Sequence, residues 1–551
     1  MKKKQLIAKK EKIYDLAYPK LTESQLNTLE KFAVLKTYRD GEILFKAGAS
    51  TFSFFVIKTG KIEICEDFNN RKKIVIVHES REFTGEINLV SKKPSLVTAV
   101  AKGDCQVYEI SADNFKQIIN KFPKLGDCIL QAFLSRRELL ESSEFTGLEV
   151  VGSKFSRDTF RIKDFLSKNK IPFTWIDIEQ DGSTYKLLKQ FEISVDEMPI
   201  VAFENNKILK NPSNIELGKL VGIKKTLEDK VYDLAIVGAG PAGLAAAVYG
   251  ASEGLDTVVL EKTAPGGQAG CSSKIENYMG FPTGLSGTDL ANRALLQAQK
   301  FGAQFTTPAE VVAIKCNSHY NVLKLANGES ITSRCILIAT GVSYRKLEIE
   351  GCEKFDGSGV YYSATKIEAQ ICRDSTVVIV GGGNSAGQAA IFLSEYAEQI
   401  LLLVRGDNLN ENMSQYLVKR LPQIDNIKLL VNTEIEEMDG DAILRTVEIR
   451  NNKTQQTQTV ETSAVFIFIG ATPRTNWLSA KIDVDRKGFI KTGTQIFQSK
   501  FWTALRQPFL LETSCPGVFA AGDVRSDSIK RVASAVGEGS MTVKFVHQLL
   551  S

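Results

Sequence analysis

Between residues 30 and 110 apolar and polar positions alternate in short bursts, EILF, FFVI, KIEICE, KKIVIV, LVTAVA and CQVYEI, punctuated by Gly41, Gly48, Gly60, Gly85 and Gly103. A period of two in runs this short, broken by turn glycines, predicts a small antiparallel barrel or roll. From Ser111 to about Glu144 the apolar positions fall three and four apart (Phe115, Ile118, Ile119; Ile129, Leu130, Phe133, Leu134), which predicts helices. Residues 147–222 then alternate strand and helix: LEVVG, TFRIKDFLSKN, FTWIDI, a helical stretch around Tyr185 to Phe191, MPIVAF with a short hairpin, and the capped NPSNIELGKLVG. That order predicts a small α/β fold. KKTLEDK at 224–230 reads as a linker. Beyond it, one pattern of strand, glycine turn and helix occurs twice, about 140 residues apart, as YDLAIVGAGPAGLAAAVYGASEG and TVVIVGGGNSAGQAAIFLSEYA.

A chain of 551 residues exceeds one core, and at roughly 150 residues per domain it predicts three to four domains. Hydrophobic residues at 43% and charged residues at 24% fit packed domains and not disorder. No apolar run approaches the roughly 18 residues that would give a membrane span. The basic start MKKKQLIAKKEK has no apolar stretch behind it, so the expected location is cytoplasmic. A net charge of +5 over this length is too thin to imply a nucleic-acid partner. The nine cysteines, at 65, 105, 128, 271, 316, 335, 352, 372 and 515, are odd in number and form no CxxC. Neither a disulfide scaffold nor a metal site is expected.

Gly238, Gly240 and Gly243 spell GxGxxG after the strand DLAIV and open an Ala-rich helix. The first glycine makes the tight turn, the second admits a pyrophosphate, and the third allows close strand–helix packing. Glu261 follows Gly238 by 23 residues at the end of TVVLE, where a carboxylate binds a ribose hydroxyl. The second fingerprint holds Gly381, Gly383, Asn384, Ser385 and Ala386, and its second strand, QILLLV, ends in Arg405. An Arg there suits a 2′-phosphate and so NADPH; a merely solvated Arg405 leaves NADH as the alternative. Two dinucleotide sites in tandem imply electron transfer between two cofactors, for which a flavin with a nicotinamide is the usual pairing.

Six motifs in order make residues 231–551 resemble the thioredoxin reductase family: the first fingerprint, PGGQ (265–268), KIENYMGFP (274–282), IATG (338–341), GVFAAGDV (517–524) and RVASAVGEG (531–539). The resemblance implies that Gly266, Gly267, Gln268, Asn277, Thr340 and Gly341 line FAD, and that Asp523, after Gly522, binds the ribityl chain. It also implies that the helix beginning near Arg531, with Ala533 in its first turn, points at the flavin. The implied arrangement is an FAD domain split between 231–345 and 470–551 around an NAD(P) domain at 346–469, in a homodimer. Where the family carries Cys-Ala-Thr-Cys-Asp, this chain reads GVYYSATKIEAQ, so Ser363 and Lys366 replace the redox cysteines and Ile367 the acid. A serine can form neither a disulfide nor a thiolate. The family's His-Arg-Arg reads Val404, Arg405 and Gly406. Cys271, four residues past Gly267, has two readings: a redox thiol cycling through sulfenic acid, or a small side chain packing against FAD.

Residues 32–145, within a first domain spanning 1–145, resemble the cyclic nucleotide-binding domain through DGEILFKAGA, FFVIKTGKIEI, GEINLV and KPSLVTAVA. There the Gly85–Glu86 pair would meet a ribose, but Pro94 is followed by Ser95, Leu96 and Val97, with no Arg for a cyclic phosphate. A cyclic nucleotide is therefore not an expected tight ligand, which leaves a regulatory or dimerisation role. Residues 147–222 look like a glutaredoxin or thioredoxin fold, with Pro199 at the cis-proline position and Ser156 to Thr159 where CxxC would stand. The expected class is multidomain α/β and α+β: a β-roll with helices, a small thioredoxin-like domain and two Rossmann-like domains. The expected function is an FAD-dependent NAD(P)H oxidoreductase whose acceptor is not an internal disulfide. A flavin-based sensor with little turnover, and a disulfide reductase using partner cysteines or Cys271, are the alternatives.

Overall fold

The computed structural model describes residues 13–49, 52–68, 71–85, 88–91, 94–142, 148–179, 197–203, 207–272, 274–317, 319–441 and 443–551. It divides into two compact units, Met1–Ser153 with Leu166–Lys225, and Lys154–Phe165 with Thr226–Ser551.

The first unit begins with an antiparallel sheet of β1 (Val34–Tyr38), β2 (Ile43–Phe45), β3 (Phe54–Phe68), β4 (Arg71–His78) and β5 (Thr98–Ile110), ordered β1-β5-β3-β4 with β2 also on β5. Its inward face gathers Phe55, Ile57, Ile62, Ile64, Ala99 and Val107, the alternation that the sequence period encodes. Gly60 is required: its φ is +86°, and a Cβ there would lie 2.5 Å from that of Cys105 on β5. Two helices follow, α1 (Ala112–Lys121), capped by Ser111, and α2 (Pro123–Ser142). Phe115 and Phe133 pack with Phe54 and Phe83 at ring separations of 4.9 to 6.3 Å.

His78 closes β4 fully buried, with Nδ1 3.3 Å from Glu82. Burial holds its pKa down to about 4, against the pull of Glu82. The unfolded chain binds this proton near pH 6.5, so between pH 6.5 and 4 it holds more protons than the folded one. Stability of the unit should therefore fall as pH drops through that window, by roughly 3 kcal/mol in all. Hydrogen-exchange protection of β3 and β5, corrected for intrinsic rates, measures this, and His78→Phe should flatten the dependence.

The same unit continues through β6 (Leu148–Gly152), β7 (Thr174–Asp177), β8 (Ile200–Phe203), β9 (Lys207–Lys210) and α4 (Asn214–Leu220), while most of α3 (Arg157–Lys168), between β6 and β7 in the chain, is counted with the second unit. The sheet order is β7-β6-β8-β9, with β6 and β7 parallel and the other pairs antiparallel. The Met198–Pro199 bond is cis. The predicted helix around Tyr185 to Phe191 lies outside the described residues.

The second unit is built on two sheets, the first mixed and the second parallel. In the first, β10 (Val231–Val237), β11 (Thr257–Leu260), β12 (Gln304–Thr306), β13 (Val311–Cys316), β14 (Asn321–Leu325) and β15 (Ser330–Ile338) run in the order β12-β11-β10-β15-β14-β13, with β13–β14 and β14–β15 antiparallel. A late strand, Val518–Ala520, adds in parallel to the end of β15. Helices α5 (Pro241–Ser252) and α6 (Gly287–Phe301) cover it. Strands buried on both faces read as continuous apolar runs, which is why AIV and TVVL show no alternation.

A two-strand ladder, β16 (Val342–Tyr344) with Ala471–Pro473, leads into and out of the second sheet. That sheet contains β17 (Val360–Tyr361), β18 (Thr376–Val380), β19 (Gln399–Val404), β20 (Ile427–Val431) and the strand Ala464–Ile467, ordered β17-(464–467)-β18-β19-β20 and parallel throughout. Helices α7 (Lys366–Ile371) and α8 (Asn384–Leu393) flank it, and α9 (Val532–Leu550) ends the chain against the first sheet. Chain order reverses beside β10 in the first sheet and beside β18 in the second, a topology that opens a crevice at the carboxyl ends of the strands. No helix of the described residues is long and apolar enough to cross a membrane.

Candidate functional site

The carboxyl ends of the first sheet gather most of the predicted FAD residues. Gly238 and Gly240 follow β10, Glu261 follows β11, Thr340 and Gly341 follow β15, and Gly522–Asp523 follow the strand Val518–Ala520. The glycine spacing is enforced by packing. A Cβ on Gly238 (φ +101°) would lie 2.5 Å from the carbonyl oxygen of Ala339, and one on Gly243 would penetrate that of Gly238. A Cβ on Gly240 would meet only Gly267 Cα, at 3.9 Å, so the space before it is open.

Hydrogen bonds draw the other motifs to this turn. Gly266 N–H donates to Ala239 O at 2.7 Å, and Gln268 Nε2 donates to Val342 O at 2.6 Å. Glu261 is buried, and its carboxylate accepts from Ala239 N–H at 2.7 Å and Thr263 N–H at 2.9 Å. Burial pushes its carboxyl pKa up in spite of those donors. Thr340 Oγ1 donates to Arg474 O. Asn277 and Ala533 are exposed, and Asn277 has no hydrogen bond to the other site residues among those described.

Asp523 is placed by a residue that sequence reasoning passed over. Glu538 on α9 is buried, accepts from Gly522 N–H at 2.7 Å and pairs with Arg525 at 2.5 Å, which fixes the Gly522–Asp523 turn. A buried acid inside the otherwise apolar AVGEG was the available signal. Asp523 itself has no hydrogen bond on its carboxylate among the described residues, and burial raises its pKa against the pull of Lys530. A half-buried acceptor without a donor suits a ligand hydroxyl.

In the second sheet Gly381 (φ +145°) follows β18, where a Cβ would penetrate Phe468 O. Gly383 is the N-cap of α8, Ala386 is fully buried beneath it, and Ser385 is exposed. Asn384 Oδ1 accepts from Ser414 N–H at 2.7 Å. Arg405 stands exposed at the end of β19, with no ion pair among the described residues.

Helix ends supply the test of fit for dinucleotides. The helices α1, α4, α6 and α7 carry Ser or Thr caps that satisfy their first amides. By contrast α5, α8 and α9 begin on Gly240, Gly383 and Arg531 with no side-chain cap. The three helices that begin at the fingerprints and at Arg531 keep amide donors and partial positive charge for a ligand, as phosphate binding requires. The residues present fit two dinucleotides.

Ser363 lies two residues beyond β17, at the carboxyl edge of the second sheet. With Cys271, Gln268, Tyr344, Ser385 and Phe468 it lines a cleft of about 40 Å³, a space of water size. Its Oγ donates to Glu368 at 3.0 Å; Glu368 is fully buried and also accepts from Thr365 N–H and Oγ1. Thr365 and Glu368 form the capping box of α7, legible in the sequence as Thr-Lys-Ile-Glu. Lys366 opens that helix, and its side chain lies outside the described residues. Cys271 is half-buried with Sγ 3.9 Å from Gly267 O.

In the first unit Gly85 adopts φ +110° and Glu86 lies outside the described residues. Arg136 donates to Gly85 O and Phe83 O, and Arg137 to Asn88 Oδ1. Ser95, where an anion partner would be sought, turns its hydroxyl onto Val97 O.

Comparison with known proteins agrees with this geometry. The family model described as pyridine nucleotide-disulphide oxidoreductase matches residues 232–539, and that of the cyclic nucleotide-binding domain matches 35–122. Thioredoxin reductase of Listeria innocua is 31% identical over 327 residues, 58% of this chain and 96% of its own length. The 34.2 kDa protein in the rubredoxin operon of Clostridium pasteurianum is 32% identical over 314 residues, covering 57% and 96%. The crystal structure of T. acidophilum thioredoxin reductase superposes with a TM-score of 0.53 at 28% identity, covering 59% of this chain and all of that one.

Proposed function

This chain belongs to the pyridine nucleotide-disulphide oxidoreductase family, and from that premise we propose that it passes reducing equivalents from NADPH to an acceptor other than a disulfide of its own at positions 363 and 366. It is an FAD-dependent oxidoreductase of thioredoxin reductase-like architecture. FAD, when bound, accepts hydride from the nicotinamide and releases two electrons onward.

In this reading the amides after Gly240 hold the FAD pyrophosphate, Glu261 a ribose hydroxyl and Asp523 the ribityl chain. Gly266, Gly267, Gln268, Asn277, Thr340 and Gly341 line the flavin, and the uncapped start of α9, at Arg531 to Ala533, favours negative charge facing it. Gly381, Gly383, Asn384, Ser385 and Ala386 form the nicotinamide dinucleotide turn, and Arg405 meets the 2′-phosphate. The four-strand order of β6 to β9 supports the thioredoxin-like reading of residues 147–222.

One observation carries the choice of acceptor. The residue at the first redox-cysteine position is a serine whose hydroxyl is held by a buried carboxylate. Oxygen in that position cannot accept electrons as a disulfide does. Purified full-length protein should be yellow and should bleach anaerobically with NADPH. It should turn over with a quinone or oxygen and leave a protein disulfide untouched. Protein without flavin, or flavin indifferent to both NADPH and NADH, overturns the proposal. Disulfide turnover matching that of the quinone overturns its second half.

A further inference from the structure

Two of the nine free cysteines meet far from the fingerprints. Cys316 ends β13, and Cys515 sits on the turn before the strand Val518–Ala520. Their thiols share a hydrogen bond, and the positive charge of Lys481 acts on both. The packing agrees independently. Cys515 belongs to a buried apolar cluster with Ile314, Ile482 and Val518, and Cys316 packs against the same cluster. Gly517, on the turn of Cys515, would bring a Cβ within 3.7 Å of Asn321 Nδ2, and Asn321 is the residue paired with Cys316 across the β13–β14 hairpin.

The turn is held firmly. Glu512 is fully buried, takes both terminal nitrogens of Arg506 at 2.7 Å and accepts from Gly517 N–H at 2.9 Å. Thr513 Oγ1 accepts from Cys515 N–H, and Ser514 Oγ bonds Lys481 O and Asp483 N–H. Cys515 is buried and Cys316 half-exposed. Since the turn precedes its strand and Cys316 lies level with Asn321 and Ser333, the pair lies toward the amino ends of the parallel strands β10 and β15, opposite the edge that holds Gly238, Glu261 and Asp523.

We propose that Cys316 and Cys515 form a reversible dithiol–disulfide site, separate from the flavin edge, with Cys316 attacking and Cys515 resolving, that exchanges with low-molecular-weight disulfides. The Cys316 thiolate attacks one sulfur of RSSR, which breaks that S–S bond, expels RS⁻ and leaves a mixed disulfide. Cys515 then loses its proton and attacks the Cys316 sulfur, expelling the second RS⁻. Two protein thiols are oxidised, one RSSR is reduced to two RSH, and the two protein protons end on those thiols. The division of labour follows from the contact. The Cys515 S–H hydrogen bond favours the Cys316 thiolate and lowers its pKa, while the same bond and burial raise that of Cys515. Lys481 stabilises negative charge on either sulfur.

The test uses the full-length, flavin-loaded protein treated with oxidised glutathione, quenched with iodoacetamide and digested with trypsin. Peptides 316–324 and 507–525 should appear joined, two hydrogens lighter than their reduced sum, and should separate with dithiothreitol. Cys515→Ser should retain glutathione on Cys316, whereas Cys316→Ser should leave Cys515 unmodified. Wild-type protein in which both cysteines remain alkylatable under conditions that modify Cys271 overturns the proposal. So does glutathione held permanently on wild-type Cys316. Should a variant fail to fold, the wild-type cross-link decides alone.

Discussion

Gly243→Ala is expected to yield a protein that purifies colourless. The added methyl would enter the carbonyl of Gly238, a backbone atom at the glycine turn that cannot swing aside as a side-chain tip would. Helix α5 must then back away from β10, at a cost of about 1–3 kcal/mol in packing. The larger loss is at the turn. Gly238 N–H is bound to Leu260 O, Ala239 N–H to Glu261, and Ala239 O to Gly266 N–H. Displacing Gly238 therefore unsettles the pyrophosphate turn, the ribose acid and the GGQ segment together. We expect flavin affinity to fall at least a hundredfold, about 2.7 kcal/mol. Flavin content per chain after gel filtration measures it, with hydrogen exchange over β18 to β20 showing that the second sheet remains folded. Wild-type flavin occupancy would show that Gly243 does not govern the site.

The legible parts of this fold are those in which one residue type has one physical use. Gly238, Gly243 and Gly381 stand where a Cβ collides with backbone, so a fingerprint readable in the sequence is also the structure's requirement. The apolar runs TVVL and QILLLV were legible as strands, and they show no alternation because both their faces are covered. What escaped reading was side-chain pairing across long separations. Glu538 fixes the turn that carries Asp523, yet in sequence it is one acid in a terminal helix. Glu368 was legible as the third residue after Thr365, a capping box, but its grip on Ser363 depends on how β17 turns into α7. Cys316 closes a strand-like run and Cys515 sits in ETSCPG, and neither context points to the other; only the register of β13 with β14 and the turn before Val518 bring them together.

Gly381→Ala should have the complementary effect: flavin retained, nicotinamide disconnected. Its φ of +145° is a conformation that alanine reaches only at a cost of about 1–3 kcal/mol. The new methyl would also collide with Phe468 O, the first residue beyond the strand Ala464–Ile467. Neither penalty can relax without moving the turn away from the start of α8, where Gly383 leaves its amides uncapped. Phe468 also walls the cleft shared by Cys271, Ser363 and Ser385, so its displacement reaches the place where the two halves of the unit face each other. The first sheet, with Gly238, Glu261 and Asp523, makes no use of Gly381. The variant should therefore be yellow and fully reducible by dithionite, while bleaching by NADPH slows at least a hundredfold, about 2.7 kcal/mol of lost stabilisation. Stopped-flow reduction of the two proteins under nitrogen makes the comparison directly. Unaltered NADPH reduction in Gly381→Ala would remove the second fingerprint from the electron path, whereas loss of flavin would mean that the two sheets do not bind their cofactors independently.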